Sequence, residues 1–201
     1  MKIEKLDLSK PAIDFLLSEG FSTLYPPQAD CVDAGLLDGK SILVSAPTAS
    51  GKTLTATLAM ISYLLKNNGK VIYLSPLRAL AAEKFTEFKK LEKVDLGKKI
   101  KVGISTGDFE NVEKNLEKNN VLILTNEKMD SIIRHSAEWI DEIGLVIADE
   151  IHLIGDETRG PTLEMILTKL KLLASKPQIV GLSATITNSD ELANWLGCIL
   201  V

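Results

Sequence analysis

The stretch "LVSAPTASGKTLTA", Leu43 to Ala56, joins two different kinds of secondary structure. The apolar run "SILVS" (41–45) overlaps its start and has the length and composition of a strand buried on both faces. Apolar residues recur at helical spacing after it, at Leu54, Leu58, Ile61 and Leu65. A loop of small residues therefore connects a buried strand to a helix, and a lysine, Lys52, stands at the junction.

Such a loop, followed by a helix that begins Lys-Thr, is suited to bind phosphate. Backbone N–H groups of the loop and of the helix N-terminus converge on an anion, and small side chains allow close approach. Lys52 would reach the β- and γ-phosphates, and the Thr53 hydroxyl would bind Mg²⁺. The predicted nucleotide-binding residues here are Ala46, Pro47, Thr48, Ala49, Ser50, Gly51, Lys52 and Thr53, with Ala46 where the usual motif has its first glycine. The alternative is a turn with an exposed lysine.

A second apolar run, "LVIADEIH" (145–152), ends in two acidic residues. The carboxyl edge of a parallel sheet is where ligands bind in open α/β folds. Asp149 is predicted to hold Mg²⁺ through water, and Glu150 to orient and polarise the attacking water. ATP and Mg²⁺ are thus the predicted cofactors, and Lys52, Asp149 and Glu150 the predicted catalytic residues. The alternative is a pair of solvent-facing acids after a strand.

Short apolar runs and helical patterns alternate along the whole chain. The predicted strands cover 41–45, 70–75, 99–105, 120–125, 144–149 and 178–184. The predicted helices are one that Ser9 opens and Gly20 closes, and others over 27–38, 52–67, 77–93, 111–118, 127–138, 162–175 and 189–196. This alternation predicts a single α/β domain over residues 1–201, with a mostly parallel central sheet and helices on both faces.

Composition limits the classes of partner. The 201 residues carry a net charge of −4, which argues against electrostatic adsorption to nucleic acid as the main activity but allows a local phosphate-binding track. Cys31 and Cys198 are far apart and show no CxxC spacing, so neither a disulfide framework nor a zinc site is expected. The chain has no N-terminal apolar segment and no apolar run of membrane-spanning length. We therefore expect a cytoplasmic protein without a membrane partner.

Two segments, "APTASGKT" (46–53) and "DEIH" (149–152), together resemble motifs I and II of superfamily-two helicases of the DExH type. Other segments resemble further motifs in the expected order: "LYPPQ" (24–28) the Q motif, "PLRALAAEK" (76–84) motif Ia, "TGD" (106–108) and "TNEKMDSIIR" (125–134) the nucleic-acid-contacting motifs, and "SAT" (183–185) motif III. With "LIGDETRGPTLE" (153–164), the chain resembles Ski2-like helicases, most of all the archaeal repair helicases related to the helicase part of DNA polymerase theta.

This resemblance implies a RecA-like P-loop NTPase fold and an ATP-dependent 3′–5′ DNA helicase that acts in repair or at replication forks. The motor of that family has two RecA-like domains, whereas residues 1–201 carry the motifs of the first only. Motifs IV to VI, with the arginine finger, are absent from the sequence. We expect the first motor domain of a longer chain, inactive by itself, with single-stranded or forked DNA and the second motor domain as its partners.

The resemblance also assigns roles to single residues. Gln28 would read adenine through its amide, as amides read this base elsewhere, while the upstream Phe21 is assigned to the core. His152 would bridge the nucleotide site to Ser183 and Thr185 and so couple hydrolysis to the nucleic-acid track. The predicted nucleic-acid contacts are Pro76, Arg78, Thr106, Gly107 and Thr125, and Asp108 is expected to cap its loop. Contacts of this kind to phosphates and sugars carry no sequence information.

Three other functions remain open at this point. An RNA-directed Ski2-like helicase would carry the same motifs, and no residue here reads a 2′-hydroxyl unambiguously. A small-molecule kinase would use the same phosphate loop, but it would need a pocket for the phosphate acceptor and would not need motifs Ia or III. A non-catalytic binding module is the third, against which the intact Lys52, Thr53, Asp149 and Glu150 argue.

Overall fold

A computed structural model of the chain describes residues 1–47, 51–107, 116–173 and 175–201. Three residues of the predicted phosphate loop, Thr48, Ala49 and Ser50, lie outside the described residues. The same holds for Asp108 and for most of the helix predicted over 111–118.

Within the described ranges, seven parallel strands form a single sheet. They are β1 (Ile42–Ser45), β2 (Lys70–Ser75), β3 (Val102–Ser105), β4 (Val121–Thr125), β5 (Ile143–Ala148), β6 (Gln178–Ser183) and β7 (Ile199–Leu200). Their order across the sheet is β3-β4-β2-β5-β6-β1-β7. All six predicted strands are confirmed, although β3 begins at Val102 rather than at 99. The seventh strand was not predicted, because its two residues are too few to produce a periodic pattern.

The helices of the described residues alternate with these strands. They are α1 (Lys10–Ser18), α2 (Pro26–Asp33), α3 (Lys52–Lys66), α4 (Arg78–Phe88), α5 (Asn126–Arg134), α6 (Gly160–Lys171) and α7 (Ser189–Leu196). Four predicted helices end earlier than expected, and two of them, predicted over 127–138 and 162–175, stop at Arg134 and Lys171. The one predicted over 27–38 stops at Asp33, because Gly35 adopts a left-handed φ of +99° and leads into a 3-10 turn. The one predicted over 77–93 stops at Phe88 and also continues as a 3-10 turn.

The helices cover the two faces of the sheet separately. Helices α1 to α4 pack with alternate strand residues such as Tyr73 into one apolar cluster. Helices α5 to α7 pack with the intervening residues, such as Ile72 and Leu74, into a second cluster. Every residue of β2, β4 and β6 is buried, as expected for strands covered on both faces. The predicted α/β class with a parallel sheet and helices on both sides is therefore confirmed.

The cysteines and the helix lengths bear on two further expectations. Cys31 and Cys198 are both free, and burial raises the pKa of each thiol to about 12. In the part of the chain that the structure describes, no helix combines the length and the apolar character needed to span a bilayer.

The strand order divides the carboxyl edge of the sheet into two halves. The neighbours β1, β6 and β5 carry the phosphate loop, the "SAT" segment and the acidic pair at their ends. The neighbours β2, β4 and β3 carry Pro76, Thr125 and Thr106 at theirs. The two halves meet where β5 pairs with β2, so residues far apart in sequence are gathered along one edge.

Candidate nucleotide and nucleic-acid sites

The start of α3 is defined by Gly51. This residue caps the helix with a left-handed φ of +78°, which favours glycine. A Cβ at this position would lie only 2.0 Å from Gln28 Nε2, so the close contact also excludes a side chain. The first turn of α3 then directs free backbone N–H groups toward the carboxyl edge, as a phosphate site requires.

Lys52 folds back over the loop that precedes it. Its ammonium donates hydrogen bonds to the carbonyl oxygens of Ala46, at 2.8 Å, and Pro47, at 3.2 Å. These neutral acceptors hold the positive charge beside the phosphate loop. A phosphate oxygen is charged and forms stronger hydrogen bonds with ammonium than a carbonyl does, so an anion would displace them.

The acidic pair after β5 is held in a fixed arrangement. Asp149 Oδ2 accepts a hydrogen bond from the Tyr73 hydroxyl at 2.6 Å, and Oδ1 accepts one from Glu150 N at 3.0 Å. Glu150 has a φ of +49°, an uncommon conformation for a residue other than glycine. Strained backbone of this kind is concentrated at functional sites, where the surrounding structure maintains it. The Asp149 carboxylate is thus held by two hydrogen bonds, whereas Glu150 lies at the backbone turn that follows β5.

The residues present fit a magnesium ion. Mg²⁺ prefers oxygen donors and usually binds through one or two protein groups together with water and substrate phosphates. Thr53 and Asp149 supply a hydroxyl and a carboxylate, and the ammonium of Lys84 already donates to Thr53 Oγ1 at 2.8 Å. The positive charge of Lys84 therefore lies beside Thr53, one of the two predicted metal ligands. The described residues contain no cluster of three or more His, Cys, Asp or Glu that would form an all-protein cage.

Gln28 ties the start of α2 to the phosphate loop. Only 2% of its surface is exposed. Its Oε1 accepts from Tyr25 N at 2.8 Å, and its Nε2 donates to Gly51 O at 3.0 Å. The amide is thus committed to backbone partners on both sides, and its contact with adenine stays a prediction.

A pocket of about 550 Å³ opens beside this glutamine, a size typical of small-molecule sites. It is lined by Gly20, Phe21, Ser22, Thr23, Tyr25, Gln28, Gly51, Thr53, Leu54 and Glu87. Phe21 packs against the core, as assigned from the sequence, and also contributes an aromatic wall to this pocket. Sequence reasoning missed that second position, since the aromatic residue alone does not indicate which of its surfaces stays open.

The predicted coupling residues stand at the ends of two neighbouring strands, β5 and β6. His152 lies on a 3-10 turn, Ile151–Gly155, with its Nδ1 3.4 Å from Glu150 Oε2. In the described part of the chain no hydrogen bond joins it to Ser183 or Thr185. Among the described residues the buried Ser183 hydroxyl has no hydrogen-bond partner, whereas the buried His152 Nδ1 faces the Glu150 carboxylate without hydrogen-bond geometry. Buried polar atoms without partners are uncommon in native proteins, so the Ser183 hydroxyl is the group of the two that a bridging partner would satisfy.

All five predicted nucleic-acid contacts line a single pocket of about 370 Å³. Its walls are Pro76, Leu77, Arg78, Thr106, Gly107, Thr125, Glu127 and Lys128. Thr125 caps α5, its hydroxyl accepting from Lys128 N at 3.3 Å, and Arg78 opens α4 on the opposite wall. The lining thus includes two basic residues, Arg78 and Lys128, and one acidic residue, Glu127. Lys128 and Leu77 were not singled out from the sequence, although both lie within segments that resemble helicase motifs.

Comparison with known proteins identifies the family of the chain. Residues 25–192 match the model of the DEAD/DEAH box helicase family. The "ATP-dependent DNA helicase Hel308" of Pyrococcus abyssi is 45% identical over 201 residues, and that of Caldivirga maquilingensis is 48% identical over 202. The chain is covered completely in both comparisons but spans only 27% and 26% of these relatives. The solved structure of Mycobacterium smegmatis helicase Lhr, bound to ssDNA and AMP-PNP, has a TM-score of 0.83 and is 30% identical, over 100% of this chain and 28% of that one.

Proposed function

The chain belongs to the DEAD/DEAH box helicase family, and from this premise we propose that residues 1–201 are the first, ATP-binding motor domain of an ATP-dependent 3′–5′ DNA helicase. The observation that carries the proposal is the division of the carboxyl edge. The nucleotide residues follow β1 and β5, and the pocket with Arg78 and Thr125 follows β2 and β4. Because β5 and β2 are neighbouring strands, the residues that contact the nucleotide lie next to those that contact the nucleic acid.

On the nucleotide side, the residues divide the work of phosphoryl transfer. Lys52 binds the β- and γ-phosphates in place of its present carbonyl partners. Thr53 and Asp149 hold Mg²⁺, which when bound neutralises charge that develops on the phosphates. Glu150 orients the water that attacks the γ-phosphate. Gln28 contacts adenine from the wall of the 550 Å³ pocket.

On the nucleic-acid side, Arg78 supplies a charge-assisted contact to a backbone phosphate. Thr106, Gly107 and Thr125 add short hydrogen-bond donors at strand ends around the same pocket. Contacts to phosphate and sugar position the strand without reading its bases, which suits an enzyme that moves along any sequence. His152, Ser183 and Thr185 connect the two sides once the nucleotide is bound.

DNA rather than RNA is the proposed track, and repair or replication-fork processing the proposed role. The support is the name of the relatives at 45% and 48% identity, "ATP-dependent DNA helicase Hel308", together with the Lhr helicase solved with ssDNA. The free thiols of Cys31 and Cys198 support the expected cytoplasmic location.

A second motor domain of the same protein completes the proposed enzyme. The relatives are nearly four times as long as the matched region, which leaves room for that domain. It would close over the edge where Lys52 and Glu150 lie and would supply the arginine finger, which is typically worth about 10³–10⁵ in rate.

The test of this function is nucleic-acid-stimulated ATPase in a protein that joins this chain to its second motor domain. Single-stranded DNA and RNA of the same sequence are compared at equal ionic strength, since such affinities depend steeply on salt. We expect DNA to stimulate turnover more than RNA. Equal or greater stimulation by RNA would favour an RNA-directed helicase instead, and stimulation by neither would contradict both.

A further inference from the structure

The Lys84 ammonium is largely shielded from solvent and points into the predicted nucleotide site. It belongs to the segment that resembles motif Ia, yet no role follows for it from the sequence. Its side chain is only 12% exposed, whereas lysine is rarely buried unless it is paired. Its Nζ donates to Thr53 Oγ1 at 2.8 Å and lies 3.0 Å from Glu87 Oε2.

The helix that carries Lys84 contacts one predicted metal ligand directly and is linked to the other through Tyr73. Lys84 reaches Thr53 directly. One turn later, Phe88 packs against Tyr73 with ring centroids 5.1 Å apart, and Tyr73 holds Asp149. The same helix begins at Arg78 in the nucleic-acid pocket, six residues or about 9 Å before Lys84.

We propose that Lys84 competes with Mg²⁺ for the Thr53 hydroxyl and thereby sets the metal concentration at which the nucleotide binds tightly. This inference rests on the function proposed above. A hydroxyl that accepts from an ammonium at 2.8 Å holds a positive charge close to the place that a divalent cation must take. Repulsion between two cations at such a distance is poorly screened in a partly buried site. Metal binding therefore requires that the ammonium leave Thr53.

Glu87 gives the displaced ammonium a second partner. Its carboxylate already lies 3.0 Å from Lys84 Nζ, three residues along the same helix. Lys84 bonds Thr53 and Glu87 at the same time in this structure, so it needs only to give up Thr53 and keep Glu87. Glu83 Oε1, 3.9 Å from the ammonium, is a further carboxylate on its side of the helix. Lys84 thus retains a charged partner when the metal takes the Thr53 hydroxyl.

The test measures binding of a fluorescent ADP analogue to this chain, first in EDTA and then across a Mg²⁺ series. In Lys84→Gln, nucleotide affinity should reach half of its Mg²⁺-dependent increase at a Mg²⁺ concentration about tenfold lower than in the wild type. A hydrogen bond from a charged donor contributes roughly that factor or more. Binding in EDTA should change little. Lys84→Met is the second variant, and thermal melting of each verifies that it folds.

Lys89→Gln is the matched control. Lys89 forms the same kind of ion pair, with Glu92 three residues later, but lines neither the nucleotide pocket nor the nucleic-acid pocket. Its removal should leave the Mg²⁺ dependence unchanged.

A double-mutant cycle tests the exchange itself. Glu87→Gln alone should raise the Mg²⁺ requirement, since the ammonium loses its second partner. In the Lys84→Gln background the same change should have a much smaller effect. Fully additive effects would show that Glu87 acts on the metal independently of Lys84 and would contradict the exchange.

The possible outcomes distinguish a failure of the competition from a failure of the proposed function on which it rests. A wild-type chain that binds no nucleotide at any Mg²⁺ concentration contradicts the proposed function. A wild-type chain with metal-dependent binding, but no shift in Lys84→Gln and Lys84→Met, contradicts only the competition. Equal weakening of these variants with and without Mg²⁺ also contradicts it, because Lys84 would then be a phosphate ligand.

Discussion

The hydroxyl of Tyr73 lies 2.6 Å from Asp149 Oδ2, so a side chain from the middle of β2 holds the carboxylate that follows β5. The Asp149 N–H donates to Leu74 O on the same β2 strand, at 3.0 Å. Burial, with the adjacent Asp149 carboxylate as the next cause, raises the pKa of Tyr73 above its ordinary value. The phenol therefore stays protonated and donates at any physiological pH. Asp149 is fixed at the boundary between the predicted nucleotide half and the predicted nucleic-acid half of the edge.

Tyr73→Phe should weaken metal-dependent nucleotide binding by about fivefold while leaving the fold intact. The substitution keeps the ring that packs on Phe88 and removes only the donor to Asp149. Hydrogen bonds to charged groups contribute about 1.5–3 kcal/mol, and partial exposure of Asp149 reduces this to about 1 kcal/mol. A Mg²⁺ series with a fluorescent nucleotide measures it, with Tyr63→Phe on α3 as control. An unchanged Mg²⁺ dependence would mean that Asp149 does not need this anchor or does not hold the metal.

Lys52→Ala should remove the phosphate clamp. In a protein with both motor domains we expect steady-state ATPase to fall far more than tenfold, because a charge on the transferred phosphoryl group is lost. Lys66→Ala, at the other end of α3, is the control, since its ammonium bonds to Leu37 O away from the site. A Lys52→Ala rate within a factor of about three of the wild type would refute the assignment of this residue.

Glu150→Gln should leave nucleotide affinity nearly unchanged and slow hydrolysis strongly. The amide keeps the size of the side chain but cannot act as a base toward water. Asp149→Asn is the informative partner variant, because it should reduce metal-dependent binding first. Nucleotide titrations and single-turnover hydrolysis separate the two effects. Loss of affinity in Glu150→Gln without loss of rate would reverse the two roles.

Arg78→Ala should weaken binding of single-stranded DNA about equally for all sequences and should make it less dependent on salt. A backbone contact releases counterions without reading bases, so the salt slope should fall by about 1. The control is Lys10→Ala, since Lys10 is exposed on α1 and pairs with Asp14 outside the pocket. Fluorescence anisotropy across a salt series measures both. A loss that depends on sequence would remove Arg78 from the track.

The sheet and the positions of its motifs were predictable because both depend on local patterns. Runs such as "KVIYLS" (70–75) are continuously apolar, and strands buried on both faces must be. Because parallel strands all end at the same edge of the sheet, Asp149 and Thr125 are predicted to lie at one edge whatever the strand order. Helix ends were predicted less well. Gly20 was used as the end of one helix, but the same signal at Gly35, which also has a left-handed φ, was overlooked within the run 27–38.

The contacts that the sequence could not supply are those between distant elements. Lys84 and Thr53 are separated by 31 positions, and Tyr73 and Asp149 by 76. Neither pair forms a motif, and each becomes visible only when α4 and β2 pack beside the phosphate loop. The two-residue β7 was missed for a related reason, because its identity as a strand depends on pairing with β1 rather than on its own composition.

Residues 1–201 are proposed to carry the nucleotide chemistry of a motor but only half of its active site. Steady-state ATPase of this chain alone, at saturating Mg²⁺ and with excess single-stranded DNA, tests it most directly. We predict turnover far below about 1 s⁻¹ and little stimulation by DNA, since the arginine finger is absent and water stays in the open site, where it weakens every charge contact. Turnover near or above about 1 s⁻¹, the low end for typical enzymes, would contradict the claim, because the chemistry would then be complete within these residues.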